Sequence, residues 1–363
     1  MSTVAIIGAG IGGVYLVAEL GLAGHRLRLH DLDDTRLADI RAHGGVDVEH
    51  AGLAAVEAAT IDLAAAVDGA EVIIVVTGGN AQATVARSLA PLLRDGQIIL
   101  LIQGNTGGSL IVRRALDAAG CRASVDVAEM DNYPFSNWRL SPTRIRPVVK
   151  KRWLQIATFP GRRIASVFPR LAPLFPHAVA APGVIHTGFT NANAMLHVAN
   201  CVGNAGKIDR GESYKFYAEG VTPTVARLYQ ASNAERVAVA AALGASVPTL
   251  EDWFDRVYGV RGTDLVETCQ LLTSNSDGPY QATGTPKSFD HKYITEDVPV
   301  GLIPMSALAA ATGVPTPVID ALITLVRTMT GKDFSSEART LERMGLAGMS
   351  ASEITRFVER GNA

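Results

Sequence analysis

Apolar positions follow two rhythms along the chain. In the first half, short runs that are apolar almost throughout alternate with segments that are apolar only every third or fourth residue. TVAIIGAG, EVIIVVTGG and QIILLIQG are the continuous runs and predict buried strands, and the more polar HRLRLHD and ASVDVAE predict strands as well. IGGVYLVAELGLAG, DTRLADIRAHG, AQATVARSLAPLLRDG and SLIVRRALDAAG lie between them and predict helices. Strict alternation with strands this apolar implies a parallel sheet covered on both faces. From about Met130 to Pro182 the rhythm blurs. RIRPVVKKRWLQIATFPG holds strand-like pieces, and PGRRIASVFPRLAPLFP holds a helix among prolines, which predicts the end of the sheet plus a linker. From about Val184 the period is helical. VTPTVARLYQASNAERVAVAAALG, VGLIPMSALAAATG and PTPVIDALITLVRTMTG are three helical patterns, the last with Thr316 as expected N-cap and Pro317 at the first helical position.

The expected architecture is therefore α/β followed by all-α, with domains over residues 1–182 and 183–363. A length of 363 residues agrees with two cores. The chain is 48% hydrophobic and 19% charged, with a net charge of −2, so it has neither a disorder signature nor a basic footprint for nucleic acid or anionic membranes. Cys121, Cys201 and Cys269 are far apart and form no CxxC pair, which argues against a zinc cluster or disulfide framework. The N-terminus lacks a basic region and cleavage site, and the apolar run near QIILLIQG is too short to span a bilayer. A cytoplasmic enzyme is expected, and a homodimer is one assembly the sequence leaves open.

The first strand ends in GAGIGG. Gly8, Gly10 and Gly13 have GxGxxG spacing, and the following helix opens at Ile11. This is the Rossmann-type fingerprint: a tight turn, close backbone approach to a pyrophosphate, and a helix N-terminus aimed at it. The second strand ends at Asp31, placed to accept from ribose hydroxyls and to repel a 2′-phosphate. That favours NAD, while Arg36 one turn on leaves NADP open. Asp31 could instead cap the next helix, a role Asp33 or Asp34 could also fill. TGGN, with Thr77 and Gly78, and QGNTGG, beginning at Gln103, end two further strands where open α/β sheets bind ligands.

The segment TNANAMLHVANCVGNAGKID reverses the usual surface pattern. Asn193, His197, Asn200 and Asn204 follow at spacings of four, three and four, so they share one helical face among small and apolar neighbours. A buried polar seam needs partners, which could be another helix, water or a ligand. Further on, Asp297 precedes a helix in HKYITEDVPVGL. It suits an N-cap, and equally a carboxylate aimed at an imidazole.

MLHVANCVGNAGKID, FYAEGVTPTVARLYQASNAERVAVAAALG and HKYITEDVPVGLIPMSALAAATGVPTP, joined to the N-terminal fingerprint, resemble the octopine/nopaline (opine) dehydrogenase family over nearly the whole chain. The resemblance implies that His197 is the catalytic histidine and Asp297 its paired aspartate. It implies an enzyme that joins the amino group of an amino acid to a 2-oxo acid such as pyruvate and reduces the imine with NAD(P)H. Small-molecule amino acid and 2-oxo acid partners follow. Lys292 stands where the family often has a carboxylate-binding arginine, Val198 where it has proline, and TGG where it has Thr-Pro-Ala. Asn193, Asn200, Asn204 and Gln103 are expected in the pocket. Two other readings stand beside this one. A ketoreductase of the glycerol-3-phosphate or ketopantoate type would use a helix lysine such as Lys207, and a non-catalytic NAD sensor would need no proton donor.

Overall fold

The computed structural model of the chain describes residues 1–274, 280 and 283–362. Its strands, in chain order, are β1 (Thr3–Ile7), β2 (Arg26–His30), β3 (Gly45–Val48), β4 (Gly52–Ala55), β5 (Ala58–Thr60), β6 (Val72–Val75), β7 (Ile98–Ile102), β8 (Asp126–Met130), β9 (Phe135–Ser141), β10 (Arg144–Lys150), β11 (Leu154–Phe159) and β12 (Ala178–Ala180). The main sheet has eight strands in the order β12-β11-β8-β7-β6-β1-β2-β5. Every pairing in it is parallel except β11 with β8. The register sets the site. Ile7 is level with His30 and Val75, Val75 with Leu101, and Leu101 with Glu129. The next few residues of β1, β2, β6, β7 and β8 therefore emerge at one edge, the carboxyl end where open α/β sheets bind ligands.

The segment expected as sheet end plus linker does more than that. Strands β9 and β10 join β3 and β4 in a second sheet, ordered β4-β3-β10-β9. It packs on the helix Ile11–Leu22, where Tyr15 stacks on Phe135 with ring centroids 3.3 Å apart. β3 and β4 are only four residues each and rich in Gly and Ala, so neither rhythm marks them, whereas β10 falls in the strand-like stretch RIRPVVK.

The last strand ends at Ala180, and the next helix is Val184–Thr190. The helix Asn193–Gly203 lies at the centre of the helical part, with Met195, Leu196, Val198, Ala199 and Cys201 fully buried. The long helix Pro223–Ala242 crosses it at Gly203, where a Cβ would come 2.6 Å from Val225. Helices ending at Gly313 and Gly331 stop as expected, both glycines having positive φ. Pro317–Thr330 starts as expected, with Thr316 at the N-cap position and Pro317 first in the helix, but its capping bonds come from elsewhere. Thr316 makes no capping bond. The carboxylate of Glu235 instead accepts from Val318 N at 2.8 Å and Ile319 N at 2.9 Å. The run Lys292–Thr312 is long and apolar enough to cross a membrane by length and composition, but it is mostly buried inside the fold.

Arg339, from the C-terminal segment, fastens the helical part to the sheet. Its guanidinium donates to the carbonyls of Gly79, Gly104 and Thr106 and to Gln82 Oε1. Arg339 is 2% exposed, so each of these acceptors satisfies a donor that has no access to water.

Candidate active site

Asp297 does not cap a helix. Its Oδ2 lies 2.6 Å from His197 Nδ1, and both residues are buried. The other ring nitrogen, Nε2, lies 3.1 Å from Tyr217 Oη. The imidazole stacks on Tyr293 with centroids 3.8 Å apart. The ring is thus fixed in position and plane by three side chains, and the carboxylate on Nδ1 fixes the tautomer. Burial pushes the Tyr217 phenol well above its ordinary range, so it keeps its proton.

His197, Tyr217, Tyr293 and Asp297 line a cleft of about 760 Å³ that also touches Gly10, Ile11 and Gly12 of the glycine turn. Gln103, Asn193 and Lys292 line it too, with Asn193 Nδ2 3.4 Å from Gln103 Oε1. The structure corrects two members of the polar seam. Asn200 is fully buried and donates to the carbonyl of Phe216 at 2.8 Å, and Asn204 donates to Asn200 Oδ1 and the carbonyl of Gly220. Neither lines the cleft. They sit lower on the same face, where the seam meets the 216–220 loop rather than open space. Asn200 thereby holds the strand of chain that presents Tyr217 to His197. Lys207 is also outside the cleft, its ammonium 4.9 Å from the Tyr214 ring centroid.

The glycine turn fits a dinucleotide. A Cβ on Gly13 would sit 1.7 Å from Gly8 O, and Gly8 itself has φ +117°, so neither position admits a side chain. A Cβ on Gly10 would meet open space, no side chain caps the helix starting at Ile11, and its first turn holds no acid. Free N–H groups at an uncovered helix start suit a pyrophosphate. The Asp31 carboxylate accepts from Ala9 N at 2.7 Å and Asp33 N at 3.0 Å, with Arg36 at 3.6 Å. Asp33, not Asp31, caps the next helix. Thr77 packs against Gly8, and its buried hydroxyl has no partner among the described residues. Gly78 faces Glu296 rather than the cleft, and the neighbouring Gly79 N donates to Glu296 Oε1 at 2.8 Å.

Comparison with known proteins decides between the readings of this geometry. Residues 180–330 match the family model described as NAD/NADP octopine/nopaline dehydrogenase, alpha-helical domain, and residues 4–123 match that of ketopantoate reductase PanE/ApbA. An opine dehydrogenase from Arthrobacter sp. (strain 1C) is 32% identical over 360 residues, covering 98% of this chain and 99% of that protein. The chain belongs to the opine dehydrogenase family.

It is accordingly an NAD(P)-dependent dehydrogenase acting on CH–NH bonds. Its fold is that of solved octopine dehydrogenase. The complex with NADH and agmatine has a TM-score of 0.77 at 20% identity and covers 98% of both chains. The complex with NADH and pyruvate has a TM-score of 0.73 at 21% identity and covers 95% and 96%.

Several cleft residues of this opine dehydrogenase carried no mark in the pattern. Tyr217, Tyr258 and Tyr280 form a connected wall: Tyr217 stacks on Tyr280 with centroids 4.2 Å apart, and the Tyr258 and Tyr280 hydroxyls are 3.1 Å apart. Each lies in a different segment, so only the fold brings them together. Glu296 was hidden beside Asp297. Burial, and then the Asp297 charge, push its carboxyl above the usual range.

Proposed function

We propose that this enzyme condenses the amino group of an amino acid with a 2-oxo acid such as pyruvate and reduces the imine to an N-(carboxyalkyl) amino acid, with His197 as proton donor. The 2.6 Å pairing of His197 with Asp297, inside a cleft that reaches the glycine turn, carries the reading. Gly8, Gly10 and Gly13 would hold the pyrophosphate of NADH, which would supply a hydride when bound. His197 then works through Nε2. With Nδ1–H donated to Asp297, the ring gains a proton at Nε2 as an imidazolium whose charge the carboxylate stabilises. Nε2 meets the Tyr217 hydroxyl at 3.1 Å, so the proton passes through that hydroxyl: Tyr217 takes it from Nε2 as it gives its own to the substrate oxygen that must leave as water when the imine forms. In the reverse direction the neutral ring takes the proton back.

Lys292 pairs with one substrate carboxylate, and Asn193 and Gln103 offer polar contacts along the same wall. Asp31 at the end of β2 supports NAD over NADP. NADH consumption with pyruvate and mixed amino acids tests the reaction, which requires both substrates. Turnover of a 2-oxo acid alone would make the enzyme a ketoreductase, and no turnover with either would leave a sensor.

A further inference from the structure

The proposed product bears two carboxylates, one from each substrate, and Lys292 accounts for one. The cleft contains two other cations. Arg139 donates to the carbonyls of Ser141 and Pro142, at its own strand end. Lys151 is different. It is 5% exposed, yet its ammonium makes no hydrogen bond among the described residues. Its neighbours are aromatic faces, with the Trp253 and Tyr258 ring centroids 5.8 and 6.0 Å away. Asp131 supplies a counter-charge to it. That carboxylate is itself buried, with Oδ1 accepting from Gln155 N. Burial pushes the lysine down and the aspartic acid up, while their mutual attraction opposes both shifts. A lysine this enclosed, with no hydrogen-bond partner for its Nζ among the described residues, is unfavourable as a cation unless something arrives to accept from it.

A second unsatisfied donor stands close by. Asn132 also lines the cleft, is 3% exposed, and has a buried Nδ2 without a partner among the described residues. The backbone ties the two segments together, since Lys151 N donates to Pro134 O at 3.0 Å. Two donors on adjoining connections between strands, both lining one cleft, match the two oxygens of a carboxylate.

We infer that Lys151, assisted by Asn132, is the second carboxylate anchor of the cleft and holds the carboxylate of the substrate that Lys292 does not. The inference rests on the two-substrate reaction proposed above. The tyrosine wall from Tyr217 through Tyr280 to Tyr258 then links the anchor to His197, placing the reacting carbon between two fixed ends.

Paired neutral substrates test it. The amino acid that the wild type uses best is compared with its carboxamide, and pyruvate with 2-oxopropanamide. In the wild type the carboxamide that loses the buried anchor should lower kcat/KM by tenfold or more, and the one that loses only the exposed Lys292 contact by no more than about fivefold. In Lys151→Met one of those two penalties should vanish, and the arm in which it vanishes says which substrate Lys151 holds. Asn132→Leu should reduce the same penalty partway, and Lys151→Arg should keep it. NADH binding, followed by fluorescence, should match the wild type in all three variants and reports that they are folded. If both penalties persist in Lys151→Met while the wild type is active, Lys151 is only a structural cation among aromatic rings and the inference is overturned, with the reaction untouched. If the wild type itself reduces a 2-oxo acid without an amine, the two-substrate reading fails first and the anchor falls with it.

Discussion

Glu296 Oε1 accepts from Gly79 N at 2.8 Å, and together with Asn80 Nδ2, which donates to Thr295 O at 2.9 Å, it ties the segment carrying Asp297 to the loop after β6. The consecutive carboxylates face different ways, Asp297 onto His197 and Glu296 onto the sheet. Their spacing along the chain therefore couples the position of the imidazole to the position of the sheet edge.

This pairing predicts a pH effect. The folded-state pKa of Glu296 is raised, so the fold favours its protonated form. Stability from this group is fully present below the ordinary carboxyl range and is lost as pH rises through the raised value. Glu296→Gln keeps an acceptor for Gly79 N and removes the charge. It should therefore be at least as stable as the wild type at pH 7 and lose that part of the pH dependence. Glu296→Ala orphans the amide and should cost about 1–3 kcal/mol. Urea unfolding from pH 4 to 8 separates the three proteins, and equal slopes with pH in wild type and Glu296→Gln would contradict the assignment.

The helix Pro317–Thr330 tests a capping detail. Glu235 satisfies two of its first amides, and Thr316 satisfies none. Glu235→Ala should destabilise by about 1–2 kcal/mol, the range of a lost cap, and Thr316→Ala by much less. The reverse order in chemical denaturation would restore Thr316 as the cap.

Lys292 is exposed, unlike Lys151. A solvated ion pair is worth roughly 1 kcal/mol or less. Lys292→Met should thus raise KM for one carboxylate substrate by no more than about fivefold, with kcat little changed. An unchanged KM for every substrate would remove Lys292 from the site.

For the cofactor, the Asp31 carboxylate at the turn should disfavour a 2′-phosphate. The expected result is a higher kcat/KM with NADH than with NADPH, and a narrowed ratio in Asp31→Ser. Equal use of both by the wild type would point instead to Arg36, which reaches Asp31 and Asp33.

Much of this architecture is legible in residue order because its causes are local. The uniformly buried strands β6 and β7, the turn at Gly8 to Gly13 and the glycine helix stops all follow from short-range patterns. His197 stood out because a polar residue on an apolar helix needs an explanation. The same reasoning overreached at Asn200 and Asn204, since a period of 3.6 gives the face but not what the face meets. Lys151, Asn132 and Tyr217 were invisible because each matters through a partner distant in sequence. Arg339 is the extreme case, joined to carbonyls more than 230 residues away.

The central claim is that His197, held by Asp297, gives and takes the proton. The reductive direction needs the ring protonated and the oxidative direction needs it neutral, so the two pH–rate profiles should run in opposite senses. The most direct measurement is kcat of His197→Ala beside its NADH affinity. The account predicts NADH binding like the wild type, because the glycine turn belongs to the sheet, with kcat lowered by roughly 10²–10⁴-fold. A folded His197→Ala protein that turns over at a near wild-type rate would contradict it.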